Sequence, residues 1–131
     1  MKKYLLVCFC ILISASVFVS AEDDIEVTKV VISEGVTGFN HEPAYAQNDR
    51  NNSSVIVWTC TSNTEHSSKI YAVYVKPKKN GKFKISKPKL ISNKADYNFT
   101  PSIAYNYETN SYLVVSASQV PNTDTHILAR K

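Results

Sequence analysis

Short apolar runs separated by polar, turn-forming clusters set the rhythm of this chain. SVIVWTC at 54–60 and SYLVVSAS at 111–118 are continuous apolar runs. Their brevity and their Val, Ile and Tyr content favour strand over buried helix. KIYAVYVK at 69–76 alternates β-branched and aromatic residues, which suits a pleated sheet. Between the runs lie NDRNNSS, TSNTEHSS, PKKNGK and NYETNS, whose Asn, Asp, Ser and Gly residues accept tight reversals. Asn80-Gly81 predicts a hairpin closed by a type I′ turn. No sustained helical stripe exists outside the N-terminus. The predicted class is all-β.

The runs also repeat. PAYAQNDRNNSSVIVW from Pro43 and PSIAYNYETNSYLVVS from Pro101 align without a gap at an offset of 58 residues. Ala46 meets Ala104, Asn48 meets Asn106, Ser53 meets Ser111, and Val55-Ile56-Val57 meets Leu113-Val114-Val115. Upstream, VTKVVIS matches ISKPKLIS with one gap, placing Ile32-Ser33 on Ile91-Ser92. Downstream, Lys69-Ile70-Tyr71-Ala72 matches His126-Ile127-Leu128-Ala129 at an offset of 57. A fixed period of matched apolar and turn positions means one supersecondary unit built twice. The unit holds four strand runs: a at 42–47, b at 54–60, c at 69–76 and d at 83–92. The second copy supplies a at 100–106, b at 111–118 and c at 125–131, and a first d-like run occupies 25–33. The expected strand order is d, a-b-c-d, a-b-c.

Residues 1–21 read as a signal peptide rather than as part of the fold. Lys2-Lys3 forms a positive start, Leu5 to Val19 an apolar stretch, and Val19-Ser20-Ala21 places compact residues ahead of Glu22. The expected location is therefore secreted or periplasmic, with no membrane span after cleavage. Removal leaves one small domain, 22–131. Within it, 13 basic residues face 11 acidic ones, too even a balance to argue for nucleic acid. The lysines are uneven: Lys76, Lys78, Lys79, Lys82, Lys84, Lys87, Lys89 and Lys94 crowd the c–d hairpin. They suit an anionic surface polysaccharide, or the ordinary use of lysine to keep a sheet edge unpaired. Cys60 alone follows the leader, so no internal disulfide is expected. It reads as a small buried residue rather than a nucleophile.

The pattern of Pro101, Ile103, Ala104, Tyr105, Asn106, Asn110, Tyr112, Leu113, Val114 and Val115 resembles the blade repeats of secreted bacterial β-propeller proteins. In those repeats Pro-x-Val/Ile-Ala-Tyr/Trp precedes a polar turn, Tyr-Leu-Val-Val-Trp, and then Ile-x-Ala with a Gly hairpin. The first copy carries Pro43, Ala46, Val57, Trp58, Ile70, Ala72 and Gly81. The resemblance implies four-stranded blades, two of them, in a sialidase-like setting. The Asp-box Ser-x-Asp-x-Gly-x-x-Trp and the calcium loop D-x-D-x-D-G are absent, so it carries over neither sialidase activity nor a metal; no cofactor is expected. Propellers hold about four to eight blades. Two blades' worth of sequence is thus a piece of a longer product, a ring assembled from several copies as a homo-oligomer, or a compact β-sandwich.

In such a fold the d–a connections lie at one rim, where binding residues gather on a rigid frame. That makes Asn40, His41, Glu42, Asp96, Tyr97 and Asn98 the candidate ligand site. Asn40 and Asn98 correspond at the 58-residue offset and serve equally well as turn caps. No catalytic set emerges. The expected function is a non-enzymatic module that recognises a glycan or protein surface. The rivals are a fragment or subunit of a glycosidase-type enzyme, and a truncated gene product without activity. N-terminal sequencing of exported protein should begin at or within a few residues of Glu22; an intact N-terminus retained in membranes would refute cleavage.

Overall fold

The computed structural model describes residues 30–64, 67–92, 97–120, 122 and 124–131. They contain eight strands: β1 (Phe39–Asn48), β2 (Ser53–Thr61), β3 (Ser68–Pro77), β4 (Phe83–Ile85), β5 (Lys89–Leu90), β6 (Tyr97–Asn106), β7 (Ser111–Gln119) and β8 (Thr125–Arg130). Among the described residues there is no helix, and the class is all-β.

Hydrogen bonding links the strands in the order β1-β2-β3-β6-β7-β8, with β4 and β5 also paired to β3. Two antiparallel meanders result, β1-β2-β3 and β6-β7-β8, joined by one parallel bridge, Ser68 to Tyr97. Their registers match residue for residue. Phe39 opposite Thr61 becomes Tyr97 opposite Gln119, and Ala44 opposite Val57 becomes Ser102 opposite Val115, 58 residues on in each case. Thr61 opposite Ser68 becomes Gln119 opposite Thr125, with the third strand shifted by 57.

β1 and β6 begin earlier than residue type alone suggests, at 39 and 97 rather than 42 and 100. The reason is a β-bulge in each. Pairing breaks between His41 and Ala44, and again between Phe99 and Ser102. Pro43 and Pro101 sit inside these breaks, where a residue without an N–H costs the ladder nothing. The residue before each proline takes a left-handed backbone, Glu42 at φ 53° and Thr100 at φ 48°. For a β-branched threonine that is an outlier conformation. Asn52 and Asn110, which close the β1–β2 and β6–β7 turns, are left-handed at φ 53° and 49°. Asparagine accepts that readily.

The d run at 83–92 is not one strand. Pro88 has no N–H, and the ladder splits into β4 and β5 around it. Serine hydroxyls complete the edge. The Tyr74 N–H donates to Ser86 Oγ at 2.9 Å and the Ile70 N–H to Ser92 Oγ at 2.9 Å. The Ser86 and Ile91 N–H groups donate back to the Tyr74 and Ile70 carbonyls. The hairpin at Asn80-Gly81 is not type I′ either. Only Gly81 has positive φ, 75°, and its N–H donates to the Lys78 carbonyl while the Lys78 N–H donates to the Lys82 carbonyl. This is a turn of type I closed by a glycine bulge, which suits a three-residue loop. The expected first strand at 25–33 is absent over residues 30–33; residues 25–29 lie outside the described set.

Both faces of the first meander are covered. Ile56, Trp58 and Cys60 of β2 share one face with Tyr71, Val73 and Val75 of β3, and Ile32 and Val36 pack on it. Val57 and Thr59 share the other face with Ile70, and all three are buried. Burial of a side chain such as Val57, Ile70 or Val73 contributes roughly 1.5–3 kcal/mol. The second meander covers that other face. β6 lies against β1 and β2, and the buried Tyr112 hydroxyl sits beside Ser53 and Asn48. Its tip is tied down as well: the Asn48 amide donates to Asn110 Oδ1 at 3.1 Å, and the Arg50 guanidinium lies 3.9 Å over the Tyr107 ring.

Gly38 sets how β1 enters the sheet. At φ 136° a Cβ would stand 2.5 Å from the Thr61 carbonyl oxygen and 2.8 Å from Cys60 Sγ. Gly38→Ala should therefore destabilise the fold by about 2 kcal/mol or more. A thermal melt of the variant checks this; an unchanged midpoint would contradict the close approach.

Candidate functional site

The bulges place their left-handed residues side by side. Glu42 Oε2 accepts the Thr100 N–H at 2.8 Å and the Thr59 hydroxyl at 2.9 Å. Thr100 is the residue 58 positions after Glu42, so one bulge holds its own counterpart. His41 Nδ1 lies 3.7 Å from the same oxygen. The Thr100 N–H chiefly holds the carboxyl below its ordinary range; burial opposes it, and the Thr59 hydroxyl and His41 add to the lowering. Glu42 is thus a brace between the two meanders, ionised at neutral pH.

The neighbouring candidates have structural partners too. Asn40 Oδ1 accepts the Trp58 indole N–H at 2.8 Å, orienting the ring that stacks on Tyr71 at 5.9 Å. His41 Nε2 meets Thr61 Oγ1 at 2.9 Å. Asn98 is fully buried, and its amide donates to the Ser68 carbonyl at 3.2 Å, beside the parallel bridge. Tyr97 is half-buried at that bridge. Asp96 lies outside the described residues.

The candidate residues therefore divide. Asn40, Glu42 and Asn98 hold strands together, while His41 and Tyr97 keep part of their rings at the surface. The structure adds Phe39, two-thirds exposed and stacked on His41 with ring centroids 5.0 Å apart. Phe39 corresponds to Tyr97, and His41 to Phe99, at the 58-residue offset. Each meander thus carries a pair of rings, two residues apart, just ahead of its bulge. Phe39 was readable from the repeat, since Tyr97 stands at its place.

Acid–base chemistry has little to work with among the described residues. Glu108 lies in the turn beyond Asn106, roughly 20 Å along β6 from the bulge that Glu42 touches, at about 3.3 Å per residue. Paired glycosidase carboxylates stand about 5–10 Å apart. Cys60 is buried, donates weakly to the Thr37 carbonyl at 3.5 Å, and burial raises its thiol pKa against the opposing pull of Lys69. It is a packed thiol, not an activated one. No group of three His, Cys, Asp or Glu side chains converges as metal ligands among the described residues.

No family model matches this sequence, and no curated protein and no solved structure matches it.

Removing the brace should cost stability. Glu42→Ala strands the Thr100 N–H and the buried Thr59 hydroxyl, a loss of about 1 kcal/mol after discounting for the exposure of the carboxyl itself. A carboxyl whose folded pKa is depressed stabilises above its unfolded value, and that contribution fades as pH falls through the folded value. The melting temperatures of wild type and variant should differ at pH 7 and converge at acid pH. A constant gap across pH would show that the charge plays no part.

Proposed function

We propose that this chain is a secreted binding module built from propeller-type repeats, and that its ligand is a glycan held at the rim where β1 and β6 begin. The observation that carries this is the repeated ring pair, Phe39 with His41 and Tyr97 with Phe99, set on braced bulges. Aromatic faces stack on the apolar faces of sugar rings, and their cost in lost conformational freedom is small. The bulges supply rigidity, since Glu42 ties β1 to β6 at the base of the rings. The identical registers of the two meanders, and the packing of one against a face of the other, support the blade reading.

A binding role agrees with the use of Glu42 as a brace and with the distance to Glu108. The crowded lysines fit the sheet rather than the ligand: Lys76, Lys84 and Lys89 stand on β3, β4 and β5 at an outer edge, where like charge discourages strand addition.

A glycan array probed with the purified protein should give a restricted set of saccharides. Phe39→Ala and Tyr97→Ala should each weaken the best one by about three- to tenfold, the worth of one ring contact. Both variants should keep the wild-type strand content by circular dichroism, because the Phe39 ring is largely exposed and Tyr97 bridges Ser68 through its backbone. Silence across the array, or binding indifferent to both substitutions, would defeat the glycan reading. Steady release of reducing sugar from a bound saccharide would instead favour the enzyme.

A further inference from the structure

The two meanders are alike in register but not in cover. Ile70 is 1% exposed; its counterpart Ile127 is 76% exposed. Val57 is 0% exposed, whereas its counterpart Val115 is only half-buried. Leu113, at the place of Val55, is 47% exposed. These residues lie on one face: Val115 pairs with Ala129 and Ala117 with Ile127, as Val57 pairs with Ala72 and Thr59 with Ile70. The first meander buries this face under the second. The second meander has no such cover among the described residues.

We infer that this face of the second meander is an interface for the first meander of another copy of this chain, joined head to tail. The occupant follows from the junction already present inside the molecule. There, the face bearing Val57 and Ile70 receives the next repeat, with Asn98 donating to the Ser68 carbonyl and Tyr97 bridging Ser68. The first meander carries the same elements in the same register. Asn40 stands at the place of Asn98, and Phe39 at the place of Tyr97. Thr125 of β8 stands at the place of Ser68. A second copy therefore continues an established interface: its Asn40 amide reaches the Thr125 carbonyl, and its Phe39 bridges Thr125. The connecting segment fits as well. Ile32 and Val36 already lie over Trp58, Cys60 and Val73 on the outward face of the first meander. Ile32 matches Ile91, whose N–H donates to the Ile70 carbonyl at the internal junction. Ile127 is the corresponding residue of the second meander.

A head-to-tail contact is heterologous and propagates until rotation closes it. Rings of about four to eight blades, two per copy, mean about two to four copies. The inference does not depend on the ligand. Tyr97 and Phe99 remain half-exposed at the internal junction, so Phe39 and His41 keep the same access in the assembly.

Sedimentation of the purified exported chain tests this together with Ile127→Lys, whose site is exposed enough that the subunit fold survives, as circular dichroism will verify. Wild type should sediment as a closed oligomer and Ile127→Lys as a monomer with unchanged strand content. Asn40→Cys combined with Thr125→Cys should form disulfides between copies on mild oxidation, and neither single variant should. A wild-type monomer across a wide concentration range would overturn the interface. So would an oligomer whose mass Ile127→Lys leaves unchanged, or a double variant that fails to cross-link. Glycan binding by a proven monomer would leave the rim reading intact while removing this one.

Discussion

The structure depends on a strand that is apolar on both sides. Val57 and Trp58 are neighbours in β2, point to opposite faces, and are both buried. A half-solvated antiparallel strand alternates apolar and polar positions; one with consecutive apolar residues needs cover above and below. A single meander cannot provide that. One side is met by Ile32 and Val36 from the segment before β1, the other by the second meander. The repeat is the physical answer to this need, and it carries its own difficulty. Every added unit covers the face of its predecessor and presents a new one. Ile127 is where that difficulty surfaces in the described residues.

The junction between the meanders is made of backbone as much as of side chains. Two strands bulge at corresponding places, two residues take left-handed conformations, and the side chain of one binds the N–H of the other. Left-handed backbone at glutamate and threonine costs of order 1–3 kcal/mol per residue and persists where its surroundings overdetermine it. Here the surroundings are the Thr59 hydroxyl, the Thr100 N–H and the proline that follows each residue. The conformational cost at the bulge is offset by a contact that neither meander could make alone. The Glu42 carboxylate is thereby committed to holding the frame.

Much of this was legible in the amino-acid order, and the remainder was hidden for identifiable reasons. Strand class, turn positions and the 58-residue equivalence followed from apolar runs and asparagine-rich turns, because these depend on residue type at short range. The bulges did not, because Glu42 and Thr100 are poor advertisements for left-handed backbone; Asn52 and Asn110, with the same φ, sit where a turn is expected anyway. Proline at 43 and 101 reads as a strand start, whereas it marks the interior of a bulge. The turn at Gly81 differs from a type I′ hairpin because the hydrogen bonds between Lys78 and Lys82 enclose three residues rather than two. At the candidate site, His41 and Tyr97 keep part of their rings at the surface, while the roles of Asn40, Glu42 and Asn98 rest on partners 18 to 58 residues away. Sequence spacing does not report contacts of that kind.

Under the proposed glycan reading, repetition also shapes what the two ring pairs can do. The stacked pair of Phe39 and His41 contributes little alone, about 0.5–1.5 kcal/mol beyond the area it buries. Two pairs on one rigid frame raise the local concentration each presents to a ligand with repeating units, and geometry decides whether both engage. Glu42 and Thr100 fix that geometry, since they lie one residue beyond His41 and Phe99. The Glu42 carboxylate thus holds the backbone beside the two ring pairs in a fixed relation. Under the proposed glycan reading, a frame that repeats its register residue for residue suits a ligand that repeats as well, and a linear saccharide is the simplest molecule with that property.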